Sequence, residues 1–329
     1  MLTNNKNDKL IIQLVDNDKV ENYHLKKNIG KKDLTNIYFD NNIKTNNPYR
    51  ETDIMERYIK GKIIGFYDKD NNRTAYPYTG NFFRCFIGGG SGSGKTTTCY
   101  NLLNLMRVNN NNKLLVIYIT SIINDDDLDN YLKEIFNGLK IFKENTEEQN
   151  KNLLDIINAE NNGVNLIKIN QDGLMNFWNE KQEKKYNILN IDVLGNYAKS
   201  KKFNNCVVVF DDCDSFRDKK YKKLTDNFMY DILERGRKHA KDEINVNCIV
   251  IRHEIGNADN KKLFLECEII YFNLQVLHKQ RLEYICNKFN LQQYLTSILD
   301  RKNSGDTITC ISTKYPYYYF TNKIINVLN

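Results

Sequence analysis

The stretch Gly89-Gly90-Ser91-Gly92-Ser93-Gly94-Lys95-Thr96 constrains this chain more than any other. It satisfies G-x-x-x-x-G-K-[ST] in full, and its setting fits as well. A short apolar run, Phe82 to Ile87, precedes it. Lys95 to Val108 follows, with Leu102, Leu103, Leu105 and Met106 at helical spacing. Strand, glycine loop and helix in that order make a phosphate cradle. Glycines let the backbone turn tightly enough for several N–H groups to converge, and the helix N-terminus adds the positive end of a dipole. Lys95 is then placed to reach the β- and γ-phosphates and the Thr96 hydroxyl to ligate Mg²⁺, with Thr97 the next residue of the same turn. The expected ligand is a nucleoside triphosphate, ATP with Mg²⁺.

A second constraint follows about 115 residues later, where the apolar run Cys206 to Phe210 ends in Asp211-Asp212-Cys213-Asp214. A buried parallel strand ending in carboxylates is a Walker B pattern, because the strand sets the first acid beside the phosphate loop. Asp211 is expected to hold Mg²⁺ through water and Asp212 to act as general base toward the attacking water. Acids also follow strands as plain loop residues; the glycine loop upstream favours the catalytic reading. Asp214 reads as a cap for the next helix.

Two further clusters carry chemistry. Glu234-Arg235-Gly236-Arg237-Lys238-His239 lies near a helix end. Arg235 and Arg237 read either as an arginine finger or DNA contact, or as a solvated face with cations suited to a helix C-terminus. Arg252-His253-Glu254 follows the apolar run Val246 to Ile251. A polar side chain there, His253 in particular, faces the γ-phosphate between the two motifs; the alternative is a polar loop start. The tail Tyr315 to Phe320 reads as a packed edge strand rather than a base-stacking surface.

The remaining pattern is α/β. Continuous apolar runs at Lys113–Thr120, Val164–Ile169, Cys206–Phe210, Val246–Ile251 and Glu268–Phe272 read as buried strands. Helical patterns fall at Leu128–Phe142, Lys151–Asn158, Leu224–Lys241, Leu277–Lys288 and Leu291–Leu299, and a hairpin at Thr307–Ser312 and Tyr317–Phe320. Alternating strands and helices predict a mainly parallel sheet covered on both faces. Residues 1–80 are polar and Asn-rich, with Asn41–Arg50 as loop, and read as an N-terminal extension with peripheral strands; 81–329 read as the nucleotide-binding domain.

Composition sets outer limits. At 41% hydrophobic and 12% aromatic residues the chain is globular. A net charge of +7 suits a nucleic-acid partner, although abundant Asn, Lys, Ile and Tyr with only 3 Pro also indicate AT-rich coding, which raises Lys without functional demand. Eight cysteines with no C-x-x-C pair read as reduced, mostly buried thiols rather than a zinc site. No N-terminal signal and no run near the roughly 18 apolar residues of a membrane span is present, so a soluble intracellular protein is expected.

Taken together, GGSGSGKTT at 89–97, VVVFDD at 207–212, RGRKH at 235–239 and the strand NVNCIVIRH at 245–253 resemble the genome-packaging ATPases of large DNA viruses and virophages, the poxvirus-type branch of the FtsK–HerA superfamily. The likeness runs from about Phe82 to Tyr318. It implies a P-loop NTPase with a RecA/FtsK-like central sheet. It also implies a motor that moves double-stranded DNA into a capsid as a homo-oligomeric ring with ATP sites between subunits. The implied partners are duplex DNA and a capsid or portal-vertex component, in the host cytoplasm or viral factory or associated with the virion. Lys95, Thr96, Asp211 and Asp212 match the family's phosphate and Walker B positions, Arg235 or Arg237 its basic segment, and His253 its polar sensor. The chain departs from the usual pattern in reading RGRKH rather than RGRH, and Asp-Asp where many relatives have Asp-Glu. Another P-loop enzyme, a DNA helicase or a small-molecule kinase, and a non-hydrolysing switch are the alternatives.

Overall fold

The computed structural model describes residues 2–3, 9–16, 19–25, 36–40, 65–66, 74–77, 83–122, 129–130, 132–133, 136, 139–142, 166–171, 173–174, 190–236, 244–255, 261–313, 317–321 and 324–328; before residue 83, in 139–142 and 324–328, and at 261, 293, 297, 308, 317, 318, 320 and 321, it describes the backbone alone. The first strands are β1 (Leu2–Thr3), β2 (Lys9–Asp16), β3 (Lys19–Leu25), β4 (Asn36–Asp40), β5 (Gly65–Phe66) and β6 (Thr74–Pro77). Four of them form an antiparallel sheet in the order β1-β3-β2-β6. β4, with β5 beside it, joins the main sheet instead.

The main sheet begins with β7 (Arg84–Gly88), which leads through the glycine loop into α1 (Lys95–Asn109). Next come β8 (Leu114–Thr120), β9 (Leu139–Phe142), β10 (Leu166–Ile169), α2 (Ile191–Ser200), β11 (Asn205–Asp211), α3 (Lys219–Arg235) and β12 (Asn245–Arg252). The chain then forms α4 (Lys261–Glu266), β13 (Ile269–Asn273), α5 (Lys279–Lys288), α6 (Leu295–Asn303), β14 (Ile308–Ser312), β15 (Tyr317–Thr321) and β16 (Ile324–Leu328). Strands β13-β7-β12-β11-β8-β10-β9 are parallel, and β14, β15, β16 and β4 extend the sheet antiparallel beyond β13.

The central strands are apolar on both sides because both faces are covered. Every residue of β8, β11 and β12 is buried. One face presents Phe86, Ile117, Val208, Phe210 and Val250 to a core shared with α2, α3 and α5. The opposite face carries Ile87, Tyr118, Val209 and Ile249, with α1 burying Cys99, Leu102, Leu103 and Met106 against the sheet. All eight cysteines are buried and unbridged, as their apolar settings suggest.

The mainly parallel sheet with helices on both faces agrees with the sequence pattern, and so do β7, α1, β8, β11, β12, β13 and the hairpin of β14 and β15. Three of the differences are local. Leu139–Phe142 reads as the end of a helix but is the parallel strand β9, since a four-residue segment with three apolar residues has no distinguishing period and pairing with β10 decides it. Asp214 is not a helix cap. It lies in a 3-10 turn, Cys213–Ser215, and the cap of α3 is Asp218, whose carboxylate accepts from the Lys220 amide at 2.7 Å. The tyrosine-rich strand β15 is not at an edge, because β14 and β16 flank it. The loop expected at Asn41–Arg50 and the helix at Lys151–Asn158 lie outside the described residues.

Candidate functional site

The strand order places the site. β12 lies between β7 and β11, with Gly88 in register with Arg252 and Ile251 in register with Asp211. The glycine loop, the end of β12 and the acid pair therefore meet at one edge of the sheet. Backbone bonds fasten the three: the Gly89 amide donates to the Arg252 carbonyl at 3.2 Å, and the Asp212 amide to the Ile251 carbonyl at 3.1 Å.

In the loop, Gly89, Gly92 and Gly94 have φ of 150°, 73° and 81°, a region open to glycine at little cost. A Cβ added at Gly90, Gly92 or Gly94 would meet nothing within 4 Å, so the loop encloses open space. Gly94 precedes α1, whose first turn has neither a side-chain cap nor an acidic residue. Its free amides thus form an uncompensated anion site. Ser91 and Thr97 are exposed, Thr96 is half-buried, and Ser93 is buried. Lys95 is buried, its ammonium donating to the Gly90 carbonyl at 3.0 Å across the loop.

Lys95 also lies 3.4 Å from His253 Nδ1, and His253 Nε2 lies 2.7 Å from Asp212 Oδ2. With Nδ1 turned toward an ammonium, the ring proton belongs on Nε2, where it donates to the carboxylate. Asp212 sits at φ 50°, ψ 33°, the left-handed region that Asp tolerates better than most residues. Its Oδ1 is buried with no hydrogen-bond partner among the described residues. Burial pushes the Asp212 carboxyl above its usual range, with His253 and Lys95 acting in the opposite direction.

Asp211 is buried at the end of β11, and Tyr118 Oη donates to its Oδ2 at 2.8 Å. Burial raises its pKa to about 6, opposed by the Tyr118 hydrogen bond. Arg252 points away from the loop and pairs with Asp214 at 2.7 Å and Asp226 at 3.5 Å, holding the turn after the acid pair against β12. The donor set fits a nucleotide with a divalent cation. The loop is an open cradle of amides, Lys95 supplies a cation, and Thr96, Asp211 and Asp212 supply hard oxygens, one of them unpartnered.

The structure thus brings together Gly89 to Thr97, Asp211, Asp212 and His253. It does not bring Arg235 to them. α3 starts beside the acids and runs 17 residues, about 25 Å at 1.5 Å per residue, toward the other edge of the sheet. There the Leu233 carbonyl accepts from Arg84 at the start of β7, and Arg235 pairs with Asp231 at 2.9 Å and Asp192 at 3.4 Å. Arg237 lies outside the described residues. Two contacts of the site escaped sequence reasoning. Tyr118 had a signal, being the one polar-tipped residue in LLVIYI. Asn273, whose Nδ2 donates to the Ser93 carbonyl at 3.2 Å, had none.

A phosphate loop, an acid-ended strand two places away and a polar residue on the strand between them define a P-loop NTPase. Among known families, the model described as "type III restriction enzyme, res subunit" matches residues 24–234, more than half of the chain, and the protein belongs to that family. No curated protein matches. Solved structures similar to this chain include the genome packaging NTPase B204 of Sulfolobus turreted icosahedral virus 2 with ATPγS, at 13% identity and TM-score 0.44 over 76% of this chain and 100% of that one. A KaiC-like protein from Pyrococcus horikoshii has 13% identity and TM-score 0.30 over 57% and 71% of the two chains. The pCW3 conjugation coupling protein TcpA has 9% identity and TM-score 0.34 over 97% and 77%. The class rests on strand order and site residues, not on these scores. Among the described residues, no helix is long and apolar enough to cross a membrane.

Proposed function

We propose that the protein is an ATP-hydrolysing motor that translocates double-stranded viral DNA into a capsid, with residues 81–329 as its ATPase domain and 1–80 as an extension. One observation carries the hydrolytic reading: His253, on the strand between loop and acid, touches both Lys95 and Asp212. A side chain so placed senses whether a γ-phosphate separates the two charged groups.

In this reading the loop amides from Gly89 to Thr97 and the Lys95 ammonium bind the phosphates. Binding draws Lys95 off the Gly90 carbonyl, and with it the contact to His253. The Thr96 hydroxyl and Asp211 hold Mg²⁺, which supplies charge neutralisation on the phosphates when bound. Asp212 orients the attacking water and accepts its proton. Burial that raises the Asp212 pKa makes it a better base than a solvated carboxylate. Arg235 sits too far from its own loop to act in cis, which suits a trans role at the ATP site of a neighbour in a homo-oligomeric ring, with Arg237 as the other candidate.

The DNA reading draws on the motif order resembling viral packaging ATPases and on a surface feature. Lys219, Lys220, Lys222 and Lys223 fill the first turns of α3, next to the acid pair, with no acidic residue in the first turn. Cations there oppose the helix dipole, a local cost that a polyanionic partner removes. One of the similar structures, B204, is itself a genome packaging NTPase. A capsid or portal-vertex partner and a host-cytoplasm, viral-factory or virion location follow from the same proposal. The family match to a restriction-enzyme subunit favours a second reading, a DNA-dependent ATPase of helicase type.

ATP turnover measured with and without DNA, beside a native mass, separates these. The motor requires stimulation by duplex but not single-stranded DNA, and a multiple of the 38.8 kDa chain. Stimulation by single strands favours the helicase. Turnover indifferent to any DNA, in a monomer, defeats the proposal.

A further inference from the structure

We infer that Tyr118 is a positioning residue for the metal-holding acid: its hydroxyl fixes one oxygen of the Asp211 carboxylate and so sets the direction in which the other is presented. The inference rests on the reading of Asp211 as a Mg²⁺ holder.

Tyr118 lies in the middle of β8, where its neighbours are aliphatic and its own exposure is 0%. β8 and β11 are parallel, with Tyr118 opposite Val209 and Thr120 opposite Asp211. Tyr118 and Asp211 therefore share a sheet face, two residues apart in level. A phenol is long enough to span that step, and its hydroxyl meets Asp211 Oδ2 at 2.8 Å. Cys99 of α1 lies within electrostatic reach of both groups, on the helix that closes this face.

Packing alone does not ask for the hydroxyl. Phe has the same ring, and an interior hydroxyl is costly unless bonded. What the oxygen adds is a donor to a carboxylate that otherwise rotates about its Cβ–Cγ bond. Metal-ligating carboxylates are commonly oriented by such outer hydrogen bonds. With Oδ2 engaged by Tyr118, Oδ1 is the oxygen left to face a cation. The donor comes from a strand outside both nucleotide motifs, so the metal position depends on β8 as well as on β7 and β11.

The test uses the full chain with ADP and Mn²⁺ as the probe, followed by electron paramagnetic resonance. Tyr118→Phe is expected to weaken Mn²⁺ binding in the ADP complex about 10–100-fold, the usual effect of losing an outer-shell partner, while metal-free ADP affinity stays unchanged. A purely structural tyrosine would lower the melting temperature and leave Mn²⁺ affinity at the wild-type value, and that result overturns the inference. Asp211→Asn separates the two levels of the claim. If it abolishes Mn²⁺ binding while Tyr118→Phe does not alter it, the Tyr118 role alone fails. If Asp211→Asn leaves Mn²⁺ binding intact, the metal reading beneath it fails.

Discussion

Replacing Asp211 with Asn should make the metal-free protein more stable at neutral pH, although it destroys the metal site. In an unfolded chain this carboxyl ionises near 3.8; buried at the end of β11, it ionises near 6. Between those values the folded state keeps a proton that the unfolded state has lost. Folded stability is thus fully present below about 3.8, falls as pH rises, and levels off above about 6. The shift of about two units corresponds to about 3 kcal/mol, at 1.36 kcal/mol per unit. Asn has nearly the same shape, carries no charge, and its amide oxygen still accepts from Tyr118. Asp211→Asn should therefore gain about 1–3 kcal/mol at pH 7.5 without metal, the lower figure allowing for the buried amide donors. Urea unfolding of both proteins in EDTA from pH 4 to pH 8 measures this as a difference curve. That curve should rise in favour of Asn between about pH 4 and 6 and flatten above. A flat difference across the whole range, or a less stable Asn protein at pH 7.5, refutes the reasoning. It would mean that Asp211 is not held ionised at a cost awaiting a cation.

Further outcomes follow from other contacts. Lys95→Ala should cut ATP turnover by about 10²–10³, the scale for losing one preorganised charge-stabilising donor, and normal turnover in a steady-state assay would remove Lys95 from the site. His253→Ala should lower turnover while leaving metal-free ADP affinity near wild type, since its contacts are to Asp212 and Lys95; calorimetry beside the turnover assay checks the split. Changing Lys219, Lys220 and Lys223 together to Ala should reduce the log–log salt slope of duplex DNA binding by about 2.7, at roughly 0.9 per phosphate contact, and an unchanged slope places the DNA elsewhere. Asp129→Ala should destabilise by about 3–5 kcal/mol in urea, because it leaves the Lys168 ammonium, paired at 2.6 Å and buried, without its counter-charge.

Much of the site was legible because two motifs carry their own geometry. Gly89 to Thr96 dictate a strand–loop–helix unit, and CVVVF followed by two acids dictates a strand end. The place of His253 followed from expecting its strand between them. What could not be read depended on partners far along the chain. Asn273 reaches Ser93 only because β13 pairs with β7, a fact with no local trace. Asp214 looked like a cap, but a 3-10 turn intervenes before Asp218, and Asp214 pairs with Arg252, a partner far along the chain. Leu139–Phe142 is too short to have a period of its own, and its strand state comes from β10. α2 lies in a largely polar stretch of the chain, yet its signals are present there: the Asn190 side chain caps it by accepting from the Asp192 and Val193 amides, and Ile191, Leu194, Tyr197 and Ala198 form its buried stripe. Arg235 shows the opposite case. Its basic setting suggested catalysis, but only the length of α3 revealed that it lies at the far edge from its own loop.

The central claim is that ATP hydrolysis at this site drives movement along duplex DNA. It is tested most directly by displacement of a third strand placed at increasing distances along a linear duplex. The account predicts displacement with ATP and Mg²⁺, with a lag that grows with distance, and none with ATPγS or with Lys95→Ala. Brisk DNA-stimulated hydrolysis with no displacement at any distance, or displacement that proceeds without hydrolysis, would contradict it.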